Sequence, residues 1–314
     1  MKMKFLITGG AGFIGSNIAE ELVRRKQQVR ILDNFTTGKV EHIEPFVNKI
    51  EVIKGDIREE KDLRKALKDV DCIFHQAALR SVPRSVDDPL STNDVNITGT
   101  LKLLMVAREM GVKRVVYASS SSAYGDSKLI PQKESHAPSP ISPYAVAKLS
   151  AEYYCRMYAK TFGLETVSLR YFNVFGPRQD PESKYSAVIP KFIEAVLKNE
   201  TIEIHGDGKQ SRDFTYIDNV VQANILAAMT PGISGEVFNI ACNESNSVLD
   251  IAKGIEKIMG QKVAIKHTPA RAGDVRKTCA DISKAKKLLK FKPKIGFNDG
   301  LKKTFEWFKA YYGY

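Results

Sequence analysis

Long apolar runs, paired cysteines and an excess of acidic residues are all missing from this 314-residue chain. No stretch approaches the roughly 18 consecutive apolar residues that a membrane-spanning helix needs, so no membrane partner is expected. The four cysteines, Cys72, Cys155, Cys242 and Cys279, stand far apart with no CxxC pair. That spacing excludes a zinc site or a disulfide framework and suits a reducing cytoplasm. The opening Met1-Lys2-Met3-Lys4 leads directly into the strand-like Phe5-Leu6-Ile7, without the apolar stretch and small-residue cleavage site of a signal peptide. There is no internal repeat and no low-complexity segment. Hydrophobic residues make up 43% and charged residues 27%, the composition of an ordinary globular protein. The charge is lopsided toward bases, with 48 Lys and Arg against 36 Asp and Glu. Sixteen of those bases, against six acids, fall between Asp250 and Tyr314. Most of these lysines occupy helix positions suited to solvent, and no aromatic-interleaved basic stripe accompanies them. A nucleic-acid partner is therefore not expected, and a solvated basic surface that attracts an anionic ligand is.

The first half alternates short apolar runs with amphipathic stretches. Lys4–Thr8, Gln28–Leu32, Ile50–Lys54, Cys72–His75 and Arg114–Ala118 read as strands. Gly15–Arg25, Glu60–Lys68, Asp94–Glu109 and Pro143–Phe162 read as helices, the last with Pro in its first turn. This alternation predicts an α/β protein with a doubly wound parallel sheet. After Arg170 the periodicity weakens. Leu169–Phe172 and Thr201–His205 read as strands; Val188–Leu197, Ile217–Met229, Val248–Met259, Ser283–Leu289 and a segment ending near Tyr311 read as helices.

Thr8-Gly9-Gly10-Ala11-Gly12-Phe13-Ile14-Gly15 follows the first strand and opens the first helix. A dinucleotide turn needs one residue free to take positive φ, one without Cβ where the backbone approaches phosphate, and one small residue for helix–strand packing. Gly9, Gly12 and Gly15 supply them in that order. The helix start then offers free N–H groups and a positive dipole end to a pyrophosphate. Asp33 ends the next strand, 18 residues after Gly15. It is placed to accept both ribose hydroxyls of NAD, and its charge would repel the 2′-phosphate of NADP. Asp56, in Gly55-Asp56-Ile57, can hold an adenine amino group or cap a helix.

Tyr144 and Lys148 lie four residues apart, on one helix face. A free tyrosine, with a pKa of about 10, is a poor base at neutral pH. A nearby Lys and the positive nicotinamide ring both favour the phenolate. Tyr144 could then take a proton from a sugar hydroxyl as hydride leaves for NAD, while Lys148 holds the nicotinamide ribose. Such a pair alone also describes a solvated helix face. The run Ser119-Ser120-Ser121-Ser122 gives it weight, because it ends a strand of a parallel sheet, where ligands bind. One or two of these serines are expected to touch substrate, the others to form a polar loop.

Together these elements resemble the extended short-chain dehydrogenase/reductase family, specifically the nucleotide-sugar 4-epimerases, and most closely the UDP-N-acetylglucosamine 4-epimerases. The resemblance spans nearly the whole chain. Besides the glycine turn it includes Asp33-Asn34-Phe35, His75-Gln76-Ala77-Ala78, Tyr124-Gly125 and Ser142-Pro143-Tyr144. It continues through Leu169-Arg170-Tyr171-Phe172-Asn173-Val174-Phe175-Gly176-Pro177, Ser211-Arg212-Asp213-Phe214 and Arg271-Ala272-Gly273-Asp274. It implies an NAD-binding Rossmann domain over 1–170 and a smaller α/β lobe over 171–314 that binds a UDP-sugar, with residues 213–240 crossing back. NAD contacts are implied for Gly9, Gly12, Phe13 and Ile14, then Asp33, Asn34, Phe35 and Gly38, and then Asp56 and Ile57. Gln76, Ala77, Ala78, Arg80, Tyr144, Lys148, Tyr171 and Val174 complete the cofactor set. On the substrate side Arg80, Ser81, Ser120, Ser121, Ser122 and Tyr144 are implied around the sugar. Asn173, Arg212 and Arg271 fall at the diphosphate, and Asp274 at the uridine ribose. Ala187, Val188, Glu203 and His205 fall at the uracil, although His205 alone would read as a packing residue. Arg80 stands where many members carry Lys and the N-acetyl subgroup carries Gly.

Family dehydratases, decarboxylases and fucose synthases carry Asp-Glu, Glu or Cys near the serine run; this chain has Ser120-Ser121-Ser122-Ala123. Hydride and hydroxyl-proton transfer is the chemistry left. The implied reaction is epimerisation at sugar C4 through a transient 4-keto sugar, with Ser120, Tyr144 and Lys148 catalytic and NAD retained between turnovers. Thr278 aligns with a size-limiting position at which a large Tyr excludes a 2-acetamido group and a small residue admits it. UDP-GlcNAc and UDP-GalNAc are thus the expected substrates, with UDP-glucose and UDP-galactose also fitting. A UDP-glucose 4-epimerase without N-acetyl activity, a UDP-uronate 4-epimerase and a non-catalytic NAD sensor are the competing readings. The helices Asp94–Glu109 and Pro143–Phe162 resemble those that pair across a two-fold in this family, so a homodimer is expected.

Overall fold

The computed structural model describes residues 2–180, 187–270 and 276–314. Seven strands, β1 (Lys4–Thr8), β2 (Gln28–Asp33), β3 (Glu51–Lys54), β4 (Cys72–His75), β5 (Arg114–Ser120), β6 (Glu165–Tyr171) and β7 (Glu236–Ile240), form one sheet. Its order is β7-β6-β5-β4-β1-β2-β3, with parallel pairing throughout. Successive residues of a strand face opposite sides, and both sides here are apolar. In β1, Phe5 and Ile7 enter one core and Leu6 the other. The second core takes its helical side chains from α2 (Glu60–Leu67), α3 (Thr100–Glu109) and α4 (Pro143–Phe162). The first takes them from α1 (Phe13–Arg24) and continues into the smaller lobe. A helix on each face is the only way to bury a two-sided apolar sheet, hence the three layers.

Beyond Tyr171 the chain builds a lobe around α5 (Val188–Leu197), α7 (Val248–Met259) and α8 (Phe297–Tyr311), beside a parallel pair of strands, Ile202–His205 and Ile265–Thr268. Between α5 and α7 it returns to the large sheet. The short strand Thr215–Tyr216 pairs with Val174–Phe175, α6 (Ile217–Met229) packs on α1, and β7 adds to β6. Phe175, Phe214, Tyr216 and Phe297 cluster at this crossing with ring centroids 5.7–6.2 Å apart. Among the described residues no helix is long and apolar enough to cross a membrane.

The differences from the sequence reading have local causes. β5 extends through Ser119 and Ser120 because β6 runs alongside, Ser119 opposite Arg170 and Ser120 opposite Tyr171. β6 begins at Glu165, earlier than its apolar pattern suggests, and β7 was not anticipated. The expected helix Asp94–Glu109 opens with a wide π-type turn over Asp94–Gly99. That turn carries Asn96, whose side chain exchanges two hydrogen bonds with the Leu79 backbone at 2.8 and 2.9 Å. The stretch expected as Ser283–Leu289 is a π-type turn over Ala285–Leu289.

Asp213, fully buried, ties this crossing to two later loops by accepting from Cys242 N at 2.9 Å and Ala280 N at 3.1 Å. Burial outweighs those hydrogen bonds and raises its pKa from 3.8 to about 7. The folded chain therefore keeps this proton where the unfolded chain has lost it. Folding is favoured by it at low pH, and the benefit disappears as pH rises between the two pKa values. Thermal melts should show wild type losing stability relative to Asp213→Asn from about pH 4 to pH 7. Parallel pH curves for the two proteins would contradict the assignment.

Candidate active site

β1 has β2 on one side and β4 on the other. At such a reversal of strand order the loops diverge and leave a crevice at the carboxyl ends. Here a cavity of about 1020 Å³ opens at that point and runs on to the smaller lobe. Gly9, at φ +68°, turns the chain out of β1, and a Cβ there would press on the Ala77 backbone 2.8 Å away. A Cβ on Gly15 would overlap the Gly9 carbonyl oxygen. The glycines thus let the turn, the β4 loop and α1 meet without side chains between them. Helix α1 begins at Gly12 with no side-chain cap and no acid in its first turn. Gly12, Phe13 and Ile14 line the cavity, so a positive helix end faces it.

Asp33 stands on the wall beyond this turn. Its oxygens accept from Ala11 N at 2.9 Å and Phe35 N at 2.8 Å, fixing the carboxylate while lone pairs remain for a diol. Burial raises its pKa, opposed by those two hydrogen bonds. Asn34, Asp56 and Ile57 continue the wall. Asn34 donates to Asp56 at 2.9 Å, and Arg58 forks onto the same carboxylate, holding it at about 2 and therefore charged. Phe35 and Gly38, implied as cofactor contacts, sit behind Asp33 rather than on the cavity wall. A Cβ on Gly38 would meet the Asp33 carboxylate at 2.8 Å.

Gln76, Ala77, Ala78 and Arg80 follow β4 along the wall. Gln76 joins a cluster with Tyr171 and the buried Asn224, whose amide donates to the Tyr171 hydroxyl at 2.8 Å. Ser81 does not reach the wall. It caps the helix Val82–Asp87 by accepting from Arg84 N at 3.3 Å, with φ at +102°. That bond uses one lone pair of the hydroxyl and leaves its proton available.

Tyr144 and Lys148 project from the first turns of α4, capped by Ser142. Both line the cavity with Ser120, Ser121 and Ser122. Burial raises the Tyr144 phenol above its usual range, while the Ser120 hydroxyl, hydrogen-bonded to it, and the Arg80 guanidinium pull it down. Arg80 is thus a cation acting on the phenol that the sequence reading, which had Lys148, did not name in that role. Lys148 is buried, lowered to about 8 by desolvation, and donates to the Ala118 carbonyl at 2.7 Å. Ser122 donates to the Ser120 oxygen at 2.8 Å, which leaves the Ser120 proton for Tyr144.

At the other end Asn173 (φ +29°), Val174, Arg212, Glu203, His205, Ala187, Val188 and Thr278 share the same cavity. Helix α5 starts at Ala187 without a side-chain cap or an acid in its first turn. His205 hydrogen-bonds Thr268 at 2.8 Å. Arg271 and Asp274 lie outside the described residues. The loop after β6 adds residues the motif reading passed over: Arg178, Gln179 and Asp180 also line the cavity. The Arg178 Nη1 and Gln179 Oε1 atoms are buried without a partner among the described residues. Asp180 pairs with Lys39 at 3.3 Å, joining the loop after β6 to the loop after β2. The only sequence signal for these residues was their position just after Gly176-Pro177.

Residues 5–241 match the model of the NAD dependent epimerase/dehydratase family. A putative UDP-glucose 4-epimerase of Methanocaldococcus jannaschii is 39% identical over 307 residues, covering 97% of this chain and 98% of the relative. The crystal structure of the Thermotoga maritima UDP-glucose 4-epimerase with UDP-glucose shares 38% identity at a TM-score of 0.94, covering 99% of this chain and 100% of that one. A UDP-N-acetylglucosamine 4-epimerase from Methanobrevibacter ruminantium in complex with UDP-N-acetylmuramic acid shares 42% identity at a TM-score of 0.94, with the same coverage.

The turn that would cradle a dinucleotide has no room for a Cβ at Gly9 or Gly15, which would push the Ala77 backbone and the Gly9 carbonyl out of place. Gly15→Ala should yield protein carrying well under half the NAD that co-purifies with wild type, measured by release on denaturation. Gly296→Ala, with nothing within 4 Å of the added Cβ, should keep its NAD. Equal NAD content in all three proteins would reject the cradle.

Proposed function

The chain belongs to the NAD dependent epimerase/dehydratase family, and from that premise we propose that it interconverts UDP-GlcNAc and UDP-GalNAc at C4. Bound NAD supplies the hydride acceptor and donor. Gly9, Gly12, the start of α1, Asp33 and Lys148 hold it. Tyr144 takes the 4-hydroxyl proton and later returns it. The Ser120 hydroxyl, which pulls the phenol pKa down, favours the phenolate that does so. Asn173, Arg212 and the start of α5 are disposed to grip an anionic nucleotide. Around Tyr144 the wall offers the short hydroxyls of Ser121 and Ser122. Short hydroxyls hold a sugar loosely, which lets the 4-keto intermediate turn over and present its other face.

One observation carries the choice of sugar. Thr278 stands on the cavity wall, its backbone N–H donating to Ser211 at 3.1 Å, and a side chain that small supports the reading that a 2-acetamido group is admitted. UDP-glucose and UDP-galactose fit the same space, since removing a group leaves no clash. Thr278→Tyr should lower N-acetyl turnover by about tenfold or more and keep UDP-glucose turnover. Undiminished N-acetyl turnover in that variant would sink the gate. Wild-type turnover of UDP-uronates alone, or of none of these sugars, would sink the substrate class.

The reading includes a homodimer. Leu90, Met105, Val146, Tyr153 and Met157 are exposed apolar side chains on Pro89–Asn93, α3 and α4, which adjoin one another. An apolar face of that kind seeks a partner. Light scattering should give a dimer for wild type and a monomer for the double variant Tyr153→Glu, Met157→Glu; a monomeric wild type would refute it.

A further inference from the structure

Behind the reacting groups lies a second set of polar side chains, of which Ser119 borders the cavity and the others lie deeper. Ser119 donates to Glu152 Oε2 at 2.6 Å. Glu152 is on α4, one turn beyond Lys148 and two beyond Tyr144, and has no exposed surface. Arg170 of β6 engages both its oxygens, at 2.9 and 2.7 Å. Arg170 lies opposite Ser119 in the sheet register, so the bonds close a ring through β5, β6 and α4. The ring is extended by Arg170 over the Tyr124 ring and by the Tyr124 hydroxyl donating to Asn239 at 2.7 Å. Asn239 in turn donates to the Gln132 and Asp281 carbonyls at 2.9 and 3.2 Å.

Burying an ion pair gains little stability over apolar packing, and its attested benefit is a single defined geometry. The geometry defined here is the end of β5. Ser119 is held by Glu152, Ala118 by Lys148, and Ser120, the next residue, lines the cavity together with Tyr144. We propose that Ser119, Glu152 and Arg170 are positioning residues that set the Ser120–Tyr144 hydrogen bond and thereby the ease with which Tyr144 ionises. Ser119 is thus the member of the serine run committed to the scaffold, its proton taken by a carboxylate. The inference rests on Tyr144 being the base.

Loss of the Ser119 hydroxyl frees the strand end, weakens the Ser120 bond and raises the phenol further. Ser119→Ala leaves the Glu152–Arg170 pair intact, whereas Glu152→Gln would strand the Arg170 charge in the core, so the serine is the residue to change. In holoenzyme, Ser119→Ala should reduce kcat about tenfold with KM for the UDP-sugar unchanged. The acid limb of the kcat–pH profile should move up by about one unit. Ultraviolet titration, with the matching Tyr144→Phe protein subtracted, should show the same upward shift in the phenol. Ser119→Thr, which keeps the hydroxyl, should restore both. Wild-type kcat and pH profile in Ser119→Ala overturn the proposal, as does a loss of kcat with an unmoved acid limb or an equal rise in KM. Full activity in Tyr144→Phe would instead remove the base assignment, which separates the two failures.

Discussion

Two side chains one helical turn apart bind α4 to the end of β5: Lys148 to the Ala118 carbonyl and Glu152 to the Ser119 hydroxyl. The reacting geometry depends on that attachment. Tyr144 belongs to the helix and Ser120 to the strand, so their meeting is fixed only as well as helix and strand are fixed to each other. Apolar packing of Ala151, Cys155 and Tyr158 under the sheet holds α4 down but permits it to slide. Directional bonds to buried charges do not permit sliding. An ion in the interior costs roughly several kcal/mol unless well paired, and Arg170 provides that pairing.

From this fixed point the cavity extends in two directions with different mechanical demands. Toward the cofactor its walls are backbone and short side chains, rigid because glycines allow α1, β1 and the β4 loop to touch. Asp33 is held by two N–H groups, and Asp56 by Arg58. Toward the smaller lobe the walls come from loops and helix starts. The Lys39–Asp180 pair links loops on the two sides of the cleft. A retained cofactor and a sugar that turns over, as proposed, would call for this asymmetry.

Much of this was legible in the sequence. Strand and helix alternation identified the doubly wound sheet, because a parallel sheet needs apolar strands and amphipathic crossovers, and both periodicities are strong in the first half. The glycine turn, Asp33, Tyr144 and Lys148 were legible for the same reason: each is a residue type demanded by local geometry at a set spacing. What escaped were features set by neighbours distant in sequence. β7 was invisible because a five-residue apolar segment acquires strand character only beside β6. The cap that Ser81 places on the helix Val82–Asp87 was not legible either. Arg178 and Gln179 follow a recognised motif without belonging to its pattern.

The order of elements, the kind of cofactor turn and the candidates for proton transfer were determined by the sequence itself, since they depend on spacings of a few residues. The tertiary structure decided how those groups are tuned. That Arg80 acts on the Tyr144 phenol, that Ser119 serves a buried carboxylate, and that Asp213 is pushed to about 7 all arise from burial and from partners far along the chain. Electrostatic free energy depends on distance and dielectric surroundings, and neither is a property of sequence separation.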